Sequence, residues 1–216
     1  MAGPMFARVG ILSGLMAGVA ACASAPPIPA PVLSYANAGC STTPDLSAPL
    51  SMTPDKERAV HLVVAEVDET AACIMRNGAA VPYVLLALPQ DYEDKTLIVG
   101  SQLDQNRIFA PEVVVLDAQG NQTRTFNRDE YFYRGSIYSV QFRPRQDERY
   151  VLVAAAPDMV GKAYDAIQIG ISTTAVYTPY GGATFNSGTE AATSRTFAYN
   201  GTVKVLVNDA DTKEEN

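Results

Sequence analysis

The chain has 216 residues and a formal net charge of −7, from 23 acidic and 16 basic side chains. That balance provides no basic face to neutralise phosphates, which argues against a nucleic-acid partner. One histidine, three cysteines and no tryptophan leave little material for a zinc site, a Ser-His or Cys-His nucleophile, or a tryptophan sugar platform.

Arg8 is the one charged residue in the first 21, and residues 9–21 form a charge-free stretch ending in small side chains. This is the pattern of a secretory signal peptide, residues 1–21. A spanning helix needs about 20 apolar residues, whereas this stretch is short, rich in Gly and Ala, and soon followed by prolines. Its end, Val19-Ala20-Ala21-Cys22, resembles the bacterial lipobox, so Cys22 is the expected lipidation site and mature N-terminus. Two acyl chains suffice for stable anchoring, at about 0.8 kcal/mol per buried methylene, which makes a lipid bilayer the first expected partner. Ala23 stands where an Asp would resemble the inner-membrane retention signal. The expected location is periplasmic, lipid-anchored, at the outer membrane.

Residues 22–56 are punctuated by Pro, Ala and Ser and read as a disordered, extended tether. Cys40 and Cys73 are both bound for an oxidising compartment and free to pair or to remain as thiols. A bridge between them closes a loop worth roughly 3–4 kcal/mol on the chain-entropy model.

Residues 57–207, about 150, suit one domain. Its apolar runs are short, rich in Val, Ile, Leu and Tyr, and bounded by turn residues, the pattern of strands. The clearest are 60–65, 83–88, 96–103, 112–116 and 136–142. Asp117-Ala118-Gln119-Gly120-Asn121 predicts a hairpin into 122–126, and Gln146-Asp147-Glu148 a similar connection into 149–155. Helical turns are expected near 55–59 and 157–164. The segment 173–196, rich in Gly, Thr, Ser and Tyr, reads as a long surface loop. Strand 201–207 closes the domain before a charged, disordered tail, 208–216. The fold class is mainly β: an antiparallel β-sandwich with one or two short helices.

No motif carries chemistry. His61 sits in an alternating apolar stretch, as a strand residue does, and the chain has no Gly-x-Ser-x-Gly, Walker or dinucleotide fingerprint. Asp129-Glu130 and the acids at 91, 93 and 94 read as solvated turns ahead of a glycosidase pair. No catalytic residue, metal or cofactor is expected. For ligand binding, Tyr131 and Tyr133 are the candidates: in a strand they share a face, with Phe132 opposite. That face either meets a partner such as a sugar or packs inside the sandwich.

Several stretches resemble one known family. Val84–Leu88 followed by Pro89, and then Ile108-Phe109-Ala110-Pro111-Glu112-Val113-Val114-Val115-Leu116-Asp117, are similar to a strand ending in Leu-Pro, a Phe-Ala-Pro motif and a hydrophobic strand with a Leu-Asp turn in the maltose-operon periplasmic (MalM-like) family. Tyr131-Phe132, Arg149-Tyr150-Val151-Leu152-Val153 and Asn200-Gly201-Thr202-Val203-Lys204-Val205 extend the resemblance to residues 82–207. The lipobox and segment 173–196 have no counterpart in that pattern. The resemblance implies a non-catalytic periplasmic protein, accessory to maltose or maltodextrin transport, that binds a carbohydrate or an outer-membrane transporter. The alternative is an envelope scaffold lipoprotein that binds protein or peptidoglycan.

Overall fold

Runs of β-branched and aliphatic residues between turns fold as strands because such side chains fit a pleated, half-buried surface. The computed structural model describes residues 27, 29–37, 39–56, 58–90 and 92–209, with side chains save those at 166–171 and 189–192. The signal peptide, Cys22 and residues 210–216 lie outside the described residues. One sheet orders β2 (Val60–Val67), β14 (Gly201–Asp209), β5 (Lys95–Gln102), β10 (Ile137–Phe142) and β9 (Phe132–Arg134), all antiparallel. A second orders β1 (Leu50–Ser51), β4 (Ala79–Ala87), β11 (Glu148–Ala155), β7 (Pro111–Asp117) and β8 (Gln122–Thr125), with β3 (Cys73–Arg76) also on β4. Only β1 runs parallel to its neighbour there. The third consists of β12 (Ala163–Thr178), β13 (Gly181–Ala198) and β6 (Arg107–Phe109), with β6 parallel to β13.

The architecture is the mainly β, antiparallel sandwich that the alternation predicts. One contiguous core joins Leu97, Val99, Val140, Val203 and Val205 of the first sheet to Val81, Leu86, Val113, Val115 and Val153 of the second. Edge strand β2 carries the two-residue period in plain form. Val60, Leu62 and Val64 are exposed, while His61, Val63 and Ala65 alternate with them as half-buried residues. His61 is a strand residue, opposite Val207.

Four local expectations are corrected. The connection through Gln146-Asp147-Glu148 is not a hairpin: β10 pairs with β5 and β9, so the chain crosses to the other sheet before β11 begins. Glu148 anchors that crossing from inside the protein. Bends stand at 55, 56 and 59, residues 157–161 form turns ahead of β12, and the short helices are single 3-10 turns at Tyr92–Asp94 and Arg128–Glu130. After Pro157, Gly161 adopts φ +84°, which ends any helical path before β12. The loop expected at 173–196 is instead most of a long hairpin, β12 with β13, in unbroken register from Ala163↔Thr196 to Thr178↔Gly181. The closing strand also runs past the expected boundary, to Asp209, where Lys95 Nζ meets its carboxylate at 3.1 Å.

The turn at 117–121 does form as predicted. The Asp117 carboxylate accepts the backbone N–H groups of Gln119 and Asn121, each at 2.8 Å, while Gly120 takes φ +82°. The Asn121 side chain and these amides hold the Asp117 carboxyl below its usual range.

Residues 32–53, read from sequence as tether, lie along the domain. Cys40 and Cys73 form the disulfide, Tyr199 N–H donates to the Val32 carbonyl at 2.8 Å, and the rings of Tyr35 and Tyr199 are 5.7 Å apart. Ser41 bridges Ile74, β1 pairs with Leu86 and Ala87, and Met52 is fully buried. Pro-rich composition without apolar periodicity concealed this strap, whose attachments are single residues spaced along an extended chain.

Candidate functional site

The two tyrosines expected to share a face are separated. Tyr131 ends the 3-10 turn Arg128–Glu130 and precedes β9, so strand alternation does not govern it. It is buried, and its hydroxyl accepts the Val113 N–H at 2.8 Å. Its ring stacks on Tyr138 at 5.4 Å, and Tyr138 meets Tyr164 and Phe197 at 5.3 and 5.4 Å. Tyr133 is exposed beside Phe132, which lies under the Arg134 guanidinium at 5.4 Å. No Tyr131–Tyr133 platform for a sugar exists; Tyr131 is a structural part of the core.

Burial pushes the Tyr131 phenol well above its usual range, and Tyr138 and Tyr164 are raised for the same reason. A raised phenol contributes stability that is fully present below about pH 10, the unfolded value, and is lost as pH rises through the folded one. Tyr131→Phe leaves the buried Val113 N–H unpaired and is expected to cost about 1–3 kcal/mol at neutral pH. It also removes part of the alkaline loss of stability. Urea denaturation at neutral pH and above pH 10, for both proteins, measures the two effects.

The chemistry-bearing residues converge elsewhere, at one end of the five-stranded sheet. There a cleft of about 710 Å³ is floored by Val64 and Glu66 of β2 and by Thr202 and Lys204 of β14. One wall runs from the end of β5 to the start of β6, contributing Gln102, Asp104, Gln105 and Arg107; another is Pro27 and Pro29, ahead of the strap. A second cleft of about 450 Å³ shares Pro29, Glu66 and Arg107 with it.

Four of these side chains, Glu66, Thr202, Asp104 and Arg107, are held by bonds within the protein. Glu66 accepts the Thr202 hydroxyl at 2.8 Å, across the register pair that joins the two strands. Asp104 and Arg107 pair at 3.2 Å between carboxylate and Nε, and the Asp104 N–H donates to the Arg107 carbonyl at 3.1 Å. Arg195, buried at the root of β13, donates from Nε to the Asp104 carbonyl at 2.5 Å. Thr196 N–H donates to the Asn106 carbonyl at 3.1 Å, so the root of the β12–β13 hairpin clamps the turn from behind. The cleft offers carboxylates, an amide pair and two cations beside a modest apolar floor. Such a set has the donors and acceptors to hydrogen-bond a polyhydroxylated or other polar ligand.

Of the other acidic candidates, Asp91 lies outside the described residues. The Glu130 carboxylate accepts the Asn127 N–H at 2.6 Å as part of a capping box. Among the described residues no three His, Cys, Asp or Glu side chains gather as a metal site, and no helix is long and apolar enough to cross a membrane. Sequence reading missed the cleft because its parts come from β2, β14, one turn and the prolines ahead of the strap. The polar run Asp104-Gln105-Asn106-Arg107 between Leu103 and Ile108 was the one local signal.

Neither a curated protein nor a solved structure matches the chain. A family model does: maltose operon periplasmic protein precursor (MalM), over residues 78–163. The match takes in β4 through β11, including the 102–107 wall of the cleft and the 84–117, 131–132 and 149–153 motifs; the closing motif at 200–205 lies outside it. The matched stretch carries most of the sandwich, and over residues 78–163 the chain is similar to the maltose operon periplasmic protein family.

Proposed function

We propose that this protein is a lipid-anchored periplasmic accessory to maltodextrin uptake, a binding protein with no catalysis of its own, and that its sugar contact is the cleft lined by Glu66, Gln102, Gln105 and Lys204. The observation that carries this reading is the position of the cleft wall. Residues 102–107 fall within the stretch matched to a family named for the maltose operon, and they are braced by Arg195 and Thr196. Acylation at Cys22 holds the domain at the outer membrane, and the short chain from there to Pro27 keeps the cleft close to the lipid surface.

Nitrogen-15 NMR with maltotriose tests the site. The expected result is saturable shifts confined to the amides of 64–66, 102–107 and 202–204, weakened about tenfold or more in Gln105→Ala with Lys204→Ala, because each change removes hydrogen bonds to the ligand. Shifts elsewhere, or none, would contradict the assignment. One feature favours a second reading. Val60, Leu62 and Val64 form an exposed apolar stripe that leads into the cleft, and such a stripe suits contact with a protein, an outer-membrane transporter or another envelope component.

A further inference from the structure

We infer that the β12–β13 arm is a self-association element, and that β12 of one copy pairs antiparallel with β12 of a second copy across a two-fold axis. From Ser172 to Gly188 every residue of the arm is exposed, and Tyr177 and Tyr180 at its tip are 84% and 100% exposed. An isolated two-stranded ribbon is marginal in water, because it orders many residues and buries little. Pairing of its open edge supplies what it lacks.

The edge selects its own occupant. Backbone N–H and C=O groups along a free strand are satisfied by another strand, and soluble proteins ordinarily protect such edges with Lys, Pro or a bulge. Strand β12 has neither Lys nor Pro, and its register with β13 is unbroken. The outer edge of β13 is partly covered, since β6 pairs with Thr196–Ala198, whereas β12 has β13 as its one partner in the sheet. Sixteen residues of β12 extend roughly 50 Å. An edge of that length and about 10 Å thickness buries on the order of 1,000 Å² in a pair, the lower bound for a specific interface.

Charge selects the antiparallel arrangement. The chain is acidic overall, but residues 166–189 carry no charge, and the one charged residue of β12 is Asp165 at its root. Antiparallel overlap places the two acidic bodies and both Asp165 side chains at opposite ends of the joined ribbon, where screening is strong. Parallel overlap would bring them together. This inference is independent of the sugar reading, because the cleft and the outer arm have no residue in common.

Sedimentation velocity of the purified protein from micromolar to sub-millimolar concentration tests it, with Thr173→Lys and Ala175→Lys combined on the exposed arm. The expected result is a monomer–dimer equilibrium whose dissociation constant rises at least about tenfold in the lysine variant, while its melting temperature stays unchanged. A monomer at every concentration overturns the proposal, as does a dimer indifferent to the two lysines. Open-ended assemblies larger than a dimer would mean that both arm edges pair, and would overturn the two-fold arrangement.

Discussion

Replacing Arg124 with methionine is expected to destabilise the protein by about 3–5 kcal/mol, the usual result of leaving a buried charge without its partner. Glu148 is fully buried at the crossing between the sheets. Its carboxylate accepts from Arg124 Nη2 at 2.8 Å, from the Arg145 N–H at 2.7 Å and from the Thr123 hydroxyl at 3.3 Å. Arg124 also donates to the Arg143 carbonyl at 2.9 Å and lies over the Phe142 ring at 4.7 Å. A methionine of similar length keeps much of that packing but leaves the carboxylate with neutral donors alone. Adding Glu148→Gln to Arg124→Met removes the stranded charge. The double variant is expected to be less destabilised than the sum of the single changes by more than about 1 kcal/mol. Urea titrations of the four proteins measure this coupling, and strict additivity would mean that the ion pair does not hold the crossing.

The second large effect is at Gly100, in the central strand β5. A Cβ there would lie 2.0 Å from the Tyr138 carbonyl oxygen and 2.6 Å from the Ser139 Cα. Both obstacles are backbone atoms of the paired strand β10, and neither can rotate away as a side-chain tip would. Gly100→Ala therefore forces β5 and β10 apart at the middle of the sheet. The expected cost is about 3 kcal/mol or more, the upper end of overpacking effects, or roughly 6–12 °C in melting temperature for a chain of this size. Gly188→Ala, where a Cβ meets nothing within 4 Å, is the control and is expected to be near neutral. Equal melting temperatures for the two variants would contradict the close approach.

These two positions mark what sequence could and could not reveal. The strands expected at 60–65, 96–103, 112–116 and 201–207 were legible, to within two residues at their ends, because hydrophobic alternation and turn residues are local signals. The sheet switch at Glu148 was not. An acidic residue in a turn looks solvated until Arg124, 24 positions earlier, is known to reach it. Tyr131 misled for a related reason: alternation applies only inside a strand, and the strand begins one residue later. The arm looks like a loop in sequence because Gly, Thr, Ser and Ala dominate it. Its strands are defined by pairing with each other, and pairing without burial leaves little hydrophobic pattern. The strap shows the converse, since Cys40 signalled an attachment that the surrounding prolines concealed.

The cleft was the least legible feature. Glu66 and Thr202 are 136 positions apart and meet because β2 and β14 are register partners, which no local pattern encodes. Family resemblance supplied a context for function, and the cleft is the place proposed for it.

Calorimetric titration of the purified protein with maltotriose tests that place most directly. Saturable heat at one sugar per chain, abolished by Gln105→Ala with Lys204→Ala and unchanged by Tyr133→Ala, is the predicted result. Absence of heat at millimolar sugar, or heat that survives the cleft changes and disappears with Tyr133→Ala, would contradict it.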